Sequence, residues 1–308
     1  MDCTTTNGTI PSSAMSTIAI IMTAHNRRDT TVASLRSLAA SAAAVADLEY
    51  IVYLTDDGST DGTAEAVSEL ALPIAIIQGT GDLYWNRGMV RSWSKAAEQR
   101  ALFDGYLLLN DDTTLDQQAL TVLLALGRLH NASAVIVGAT RDPITGELTY
   151  GGVKRTSSWH PGRTTRLPMS ETPQEADAFN ANCVYVPAEV ADAVGTLDPV
   201  FHHGMGDFDY GYRARKLGFN IVVAPNTIGT CAVNSVDGTW RDTALPYRRR
   251  LHALRSPKGL PFSEWREFLM RHGAPLPTLL AAAPWLSVAA SSLLASGRKR
   301  SQGRENVL

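Results

Sequence analysis

Cysteine is scarce: Cys3, Cys183 and Cys231 are the three in 308 residues, an odd number without CxxC spacing. Neither a disulfide framework nor a zinc site is suggested, and a reducing cytosol fits best. An excess of charge is also missing, since the net charge is −2. The balance is uneven, however: residues 241–308 carry 12 Lys/Arg against 4 Asp/Glu, leaving 16 against 26 in residues 1–240. An acidic body therefore carries a basic tail, which is either a solvated surface or one that meets anionic lipid headgroups. Nucleic acid is disfavoured because the basic residues lack an interleaved aromatic platform. No GxGxxG follows the first apolar run, which disfavours a dinucleotide oxidoreductase, and no internal repeat is visible. Residues 1–15, MDCTTTNGTIPSSAM, lack the basic and apolar regions of a signal peptide and are expected to be a loose leader.

What is present is a 44% apolar content, sufficient for a real core. STIAIIMTAHN is a short β-branched run ending in polar residues, as a buried parallel strand and its loop would be. The alternation then repeats: TTVASLRSLAASAAA helix, LEYIVYLTD strand, TAEAVSELA helix, IAIIQG strand, a helix over 88–103, GYLLLND strand, LDQQALTVLLALGRLH helix and SAVIVGA strand. Strands alternating with helices predict an α/β fold, a mostly parallel sheet covered on both faces. Beyond Ala139 the pattern predicts a hairpin at TGELTYGG, a long loop at SSWHPGRTTRLPMSETP and a strand at AFNANCVYVP, all completing the same domain.

Ligands of such sheets bind outside the carboxyl ends of the strands, so the polar segment after each strand is the place to search. TDDGSTDGT opens a helix, with Gly58 and Gly62 permitting tight turns and Ser59, Thr60 or Asp61 available as caps. A well-made loop would explain it, but Asp56 stands at the strand end, where a carboxylate can accept hydrogen bonds from a base or ribose. NDDT (Asn110–Thr113) places two adjacent carboxylates at another strand end. They repel unless a cation is shared, and Mg2+ or Mn2+ suits them, with phosphate oxygens and water completing the shell. A solvated turn is the plainer alternative. Late in the chain, HHGMGDFDYGYRARKLG sets Asp207 and Asp209 one residue apart before a helix, with Gly204 and Gly206 expected to turn the chain sharply.

The order of these motifs resembles the family 2 glycosyltransferases of GT-A fold, in particular the rhamnosyltransferase-like branch of bacterial surface polysaccharide synthesis. The resemblance covers residues 16–235 and rests on five motifs in order rather than on any one of them. It implies that Asp56 contacts the base of a nucleotide, with Thr23, Ala24, His25 and Arg27 lining the same pocket. It places Asn110, Asp111 and Asp112 at the DxD motif, with Asp112 the first choice of metal ligand and Asp111 the second. Asp207 takes the position of the catalytic base, and Gly206 replaces the glutamate that commonly precedes it. Cys231 stands where many relatives have a late histidine, and a neutral thiol is a poor ligand for Mg2+. In GDLYWNRGMVRSW, Arg87 is a candidate for the diphosphate and Trp85 for stacking on a sugar.

The resemblance therefore implies an inverting, metal-dependent hexosyltransferase with a glycan or lipid-linked acceptor, and a donor that is dTDP-rhamnose or a UDP- or GDP-sugar. Trp159, His160, Asn180, Asn182 and His203 are candidate acceptor contacts. A non-catalytic sugar-binding or assembly subunit and a sugar nucleotidyltransferase are the competing readings. The expected organisation is a leader (1–15), a GT-A domain (16–240) and a basic helical extension (241–308). Within that extension, Gly273 to Gly297 is uncharged, rich in Ala and Ser, broken by Pro275, Pro277 and Pro284, and followed by Arg298, Lys299 and Arg300. An interfacial helix on the inner face of the cytoplasmic membrane fits better than a spanning one, with self-packing or a homodimer as the alternative.

Overall fold

The computed structural model describes residues 16–305, with side chains described as far as Ser291. The expected leader, residues 1–15 with Cys3, lies outside the described residues, as do the side chains of Arg298, Lys299 and Arg300.

The first half follows the alternation. Strand β1 (Ser16–Ala24) leads to α1 (Arg28–Ala42), β2 (Leu48–Asp56), α2 (Thr63–Ser68), β3 (Ile74–Gln78) and α3 (Tyr84–Ala97). Next come β4 (Gly105–Leu109), β5 (Thr114–Leu115), α4 (Ala119–Leu129) and β6 (Ala134–Val137). The twofold period of β1 divides its side chains between two core layers: Ile18, Ile20 and Met22 meet Leu35, Leu38 and Leu123, while Ala19 and Ile21 share the other layer with Met89 and Trp93. Helix α3 begins four residues before the predicted helix and ends earlier. The start is capped from another loop, since the Asp57 carboxylate accepts the backbone N–H groups of Gly81, Leu83 and Tyr84 at 2.8–3.0 Å.

The second half is more broken. It contains β7 (Thr140–Arg141), β8 (Leu148–Tyr150), β9 (Gly152–Arg155), β10 (Thr164–Arg166), β11 (Gln174–Ala176), β12 (Ala178–Phe179) and β13 (Cys183–Pro187). Then follow α5 (Ala188–Val194), α6 (Gly206–Lys216), β14 (Asn220–Val223), β15 (Gly229–Thr230), α7 (Tyr247–Arg255), α8 (Phe262–Arg271) and α9 (Pro277–Glu305). The hairpin at TGELTYGG is the antiparallel β7–β8 pair, and the long loop contains β10 paired with β9. AFNANCVYVP is two strands, not one: β12 pairs with β9, while β13 enters the main sheet antiparallel between β4 and β6. The interruption, Asn180–Asn182, is consequently free to line a cleft.

The main sheet has the order β11-β14-β6-β13-β4-β1-β2-β3. β1 pairs in parallel with β2 on one side and with β4 on the other, so the strand order reverses at β1. That reversal opens a crevice at the carboxyl ends of β1 and β4. A third apolar cluster, Phe201, Trp265, Phe268, Leu269, Ala274 and Ala281, packs α8 and α9 against Phe208 and Tyr212 of α6. The C-terminal helices thus brace the helix that carries Asp207. Among the described residues, no helix is long and apolar enough to cross a membrane.

Candidate active site

At the strand-order reversal, Thr23 and Ala24 at the end of β1, His25 and Arg27 after it, Asp57 after β2 and Asn110 to Asp112 after β4 line one cavity of about 440 Å³. Asn180 to Asn182, His203, Asp207 and Cys231 close it from the second half. Trp85 joins them from the first turn of α3, its indole Nε1 donating to Asn110 Oδ1 at 2.8 Å.

Asp56 does not line this cavity. Its carboxylate accepts the Ser59 N–H at 3.1 Å, and Asp57, one residue past the strand end, is the acid on the wall. Because successive strand residues point to opposite faces, moving the assignment by one position reverses the direction of the side chain. His25 is fixed on the same wall by its Nδ1, 2.5 Å from the Asp57 carbonyl oxygen. Arg87 also lies off the cavity: its Nε donates to the Pro199 carbonyl at 2.9 Å. Trp159 and His160 are likewise outside the lining. Trp159 carries the Arg163 guanidinium over its ring and His160 packs on Trp265, so this loop is fastened to α8. Residues missed in the sequence include Asp57, Tyr84, Tyr150, Asn234 and Lys258. Only Asp57 had a signal there, as the second acid of TDDGS.

The acid pair behaves as adjacent buried carboxylates must. Burial pushes Asp111 up to about 7, against the pull of Arg27, and Arg27 Nη1 spans Asp111 Oδ1 and Asp112 Oδ2. The Arg27 guanidinium thus offsets part of the negative charge that the two adjacent acids bring to the strand end. Both donors are hard oxygens, and Asp112 remains partly exposed. Among the described residues no group of three or more His, Cys, Asp or Glu could enclose an ion by itself. The pair therefore fits Mg2+ or Mn2+, which use one or two carboxylates and leave positions for phosphate and water. Cys231 lies alongside, its Sγ donating to Asp112 Oδ1 at 3.5 Å, and burial pushes the thiol up to about 12. It is a neutral hydrogen-bond donor to the acid pair.

Asp207 and Asp209 have separate surroundings on α6. Asp207 faces the cavity and accepts the Phe208 N–H at 2.9 Å and the Ala181 N–H at 3.4 Å. Burial pushes its pKa up to about 6, and among the described residues no cation offsets that. Asp209 is fully buried and points away, receiving Arg213 Nε at 2.7 Å, Arg271 Nη1 at 3.0 Å and His272 Nε2 at 2.9 Å. Burial alone would raise it, but these three partners hold it below the ordinary carboxylate range. It ties α6 to Arg271 at the end of α8 and to His272 just after it. The sharp turn before α6 falls on Met205, whose φ of 73° is left-handed, and not on Gly204 or Gly206. Gly206 matters for a different reason: a Cβ there would lie 1.8 Å from Oδ1 of the buried Asn86, whose Nδ2 is held by the Asp198 and Phe201 carbonyls, so any side chain at 206 would have to displace Asn86.

The family model for glycosyl transferase family 2 matches residues 19–186, more than half of the chain. The chain belongs to glycosyl transferase family 2. The matched span runs from within β1 to within β13, so the cleft residues contributed by β1, β2 and β4 lie inside it, while His203, Asp207, Cys231, Asn234 and Lys258 lie beyond it. Among solved structures, the chain is similar to the crystal structure of GalNAc-T7 with UDP, GalNAc and Mn2+, with a TM-score of 0.55 and 15% identity over 84% of this chain and 55% of that one. It is also similar to S. aureus TarS, with a TM-score of 0.51 and 16% identity over 84% of this chain and 43% of that one. The chain thus spans about half the length of each, and at this identity the likeness shows the GT-A fold. No curated protein matches the chain in sequence.

Proposed function

We propose that this glycosyltransferase moves a sugar, with inversion, from a nucleotide-diphosphate sugar to a hydroxyl of a glycan or lipid-linked glycan. The observation that carries the reading is that Asp207, buried and without a cation partner, lines the same cavity as the Asp111–Asp112 pair. A carboxylate with a pKa near 6 is ionised at neutral pH yet more basic than an exposed aspartate, as a general base should be. Asp207 takes the acceptor proton while the acceptor oxygen displaces the diphosphate from the opposite face of the anomeric carbon. Asp112 and Asp111 would hold Mg2+ or Mn2+, which when bound supplies charge neutralisation at the diphosphate. Asp57 and His25 border the end of the cleft expected for the base, and Trp85, Asn180, Asn182 and His203 border the sugars. The GalNAc-T7 structure contains UDP and Mn2+, which supports a nucleotide sugar and a divalent ion here as well.

The test is nucleoside-diphosphate release from a panel of dTDP-, UDP- and GDP-sugars, dTDP-rhamnose included, with Mn2+, Mg2+ or excess EDTA. Release from one donor, abolished by EDTA and by Asp112→Ala, is expected. Full activity in EDTA would sink the metal assignment, and pyrophosphate release from a nucleoside triphosphate would indicate a nucleotidyltransferase instead. A lipid-linked acceptor would also place the protein peripherally on the cytoplasmic face of a membrane. The exposed Leu276, Leu279 and Leu286 beside the basic helix α7 support that placement.

A further inference from the structure

Lys258 enters the cavity from a part of the chain that the motifs do not reach. It stands in the connection between α7 and α8 and lines the same space as Asp112 and Asp207. The connection is fastened at both ends. Gly259 N–H donates to Ser256 O at 2.8 Å and Leu260 N–H to Leu254 O at 2.9 Å. Leu254 is fully buried, and Leu260 packs on the Phe201–Phe268 cluster. A Cβ at residue 259 would lie 2.1 Å from the Ala253 carbonyl oxygen, so only glycine permits the chain to close this tightly. Lys258 thus projects from a braced turn rather than from a loose tail.

Its ammonium makes no hydrogen bond or ion pair with a described residue. Arg27, the other cation on the wall, is held by two carboxylates. Both cations act on His203, whose pKa is pushed down to about 4, first by burial and then by Lys258 and Arg27. His203 is therefore a neutral ring at pH 7, and its Nδ1 is buried without a partner. An unpaired ammonium and an unpaired imidazole nitrogen on one wall of an otherwise acidic cleft call for a ligand that brings negative charge and acceptor oxygens. A neutral acceptor sugar has no such charge.

We propose that Lys258 binds the diphosphate of the nucleotide-sugar donor, so that the α7–α8 connection completes the donor site. The inference rests on the function proposed above. During transfer the bond from the anomeric carbon to the diphosphate oxygen breaks, its electron pair stays on that oxygen, and the acceptor oxygen forms the new bond as its proton passes to Asp207. A fixed ammonium stabilises the charge that grows on the leaving diphosphate.

Calorimetric titration of the full chain with UDP, GDP and dTDP, and with the matching monophosphates, tests this for the parent, Lys258→Met and Lys258→Arg proteins in Mn2+ buffer. Lys258→Met should weaken the preferred diphosphate at least ~10-fold, as loss of a charge-assisted hydrogen bond does, and leave the monophosphate within about twofold. Lys258→Arg should restore most of the loss. Unchanged diphosphate affinity in Lys258→Met, or an equal loss for both nucleotides, overturns the proposal while leaving the glycosyltransferase reading intact. A parent protein that binds none of the three diphosphates overturns the donor reading itself, and the inference with it. Thermal melting of the variants is the folding control, and no change is expected because Lys258 is exposed and makes no hydrogen bond or ion pair with a described residue.

Discussion

Asp207 and Asp209 share one helix and two opposite electrostatic fates, and substitution separates them. Asp207→Asn keeps size and hydrogen bonding but cannot take a proton, so transfer should fall at least ~10²-fold while calorimetric donor binding stays near that of the parent. Normal turnover in this variant would show that another group is the base. The parent should lose activity reversibly as the pH drops through about 6, because protonated Asp207 cannot accept the acceptor's proton. The sign for stability is the reverse: a raised folded pKa means the contribution of Asp207 is fully present at acid pH and is lost as the pH rises toward 6. Asp209, with its lowered pKa, stabilises above the ordinary carboxylate range and loses that contribution as the pH falls through its folded value. Asp209→Asn leaves Arg213, Arg271 and His272 short of a buried anion and should cost about 3 kcal/mol in urea unfolding. A loss below ~1 kcal/mol, the scale of a simple helix cap, would contradict the bracing role.

At the scale of elements, the start of α3 shows how a site can escape a linear reading. Three backbone N–H groups of residues 81–84 converge on Asp57, which lies in the loop after β2. Asp57→Ala should therefore destabilise the protein by about 1–3 kcal/mol and weaken donor binding, because the turn that delivers Tyr84 and Trp85 to the cleft loses its anchor. Asp56→Ala removes one contact, to Ser59, and should cost less in both measurements. If Asp56→Ala abolished donor binding and Asp57→Ala did not, the original choice of acid would be restored. The strands and helices of the first half were legible because local periodicity dictates them, β2 down to its end residues. What was not legible depended on contacts remote in sequence: the Pro199 carbonyl that accepts from Arg87, the Trp265 ring of α8 that His160 packs on, and the turn that brings Lys258 back. The split of AFNANCVYVP was hidden for the same reason, since its two parts are claimed by different sheets.

For the whole molecule, the basic C-terminal helices have an inner and an outer side of different chemistry. Their inner side braces α6 through Trp265, Phe268 and Ala281. On the outer side, α9 exposes Leu279 and Leu286, seven residues apart on one face, with Leu276 just before the helix. Helix α7 is bound to α9 by Arg250 Nη1 donating to Ser291 Oγ at 2.8 Å and by Arg255 over the Trp285 ring, while Arg248 and Arg249 remain exposed. An apolar row beside free cations matches an anionic bilayer surface, where each basic residue contributes about 1 kcal/mol. The full chain should therefore co-sediment with vesicles containing phosphatidylglycerol and much less with pure phosphatidylcholine. Leu276→Gln, Leu279→Gln and Leu286→Gln combined should abolish sedimentation, and Arg248→Gln with Arg249→Gln should weaken it by ~30-fold at low salt. Removing the segment after Arg271 would be a poor test, since it strips Ala274 and Ala281 from the core that braces Asp207. Donor binding unchanged in the leucine variant shows that the cleft is intact. Equal sedimentation of parent and leucine variant would sink the membrane assignment, and concentration-dependent self-association lost in that variant would assign the leucine row to a second copy of the chain.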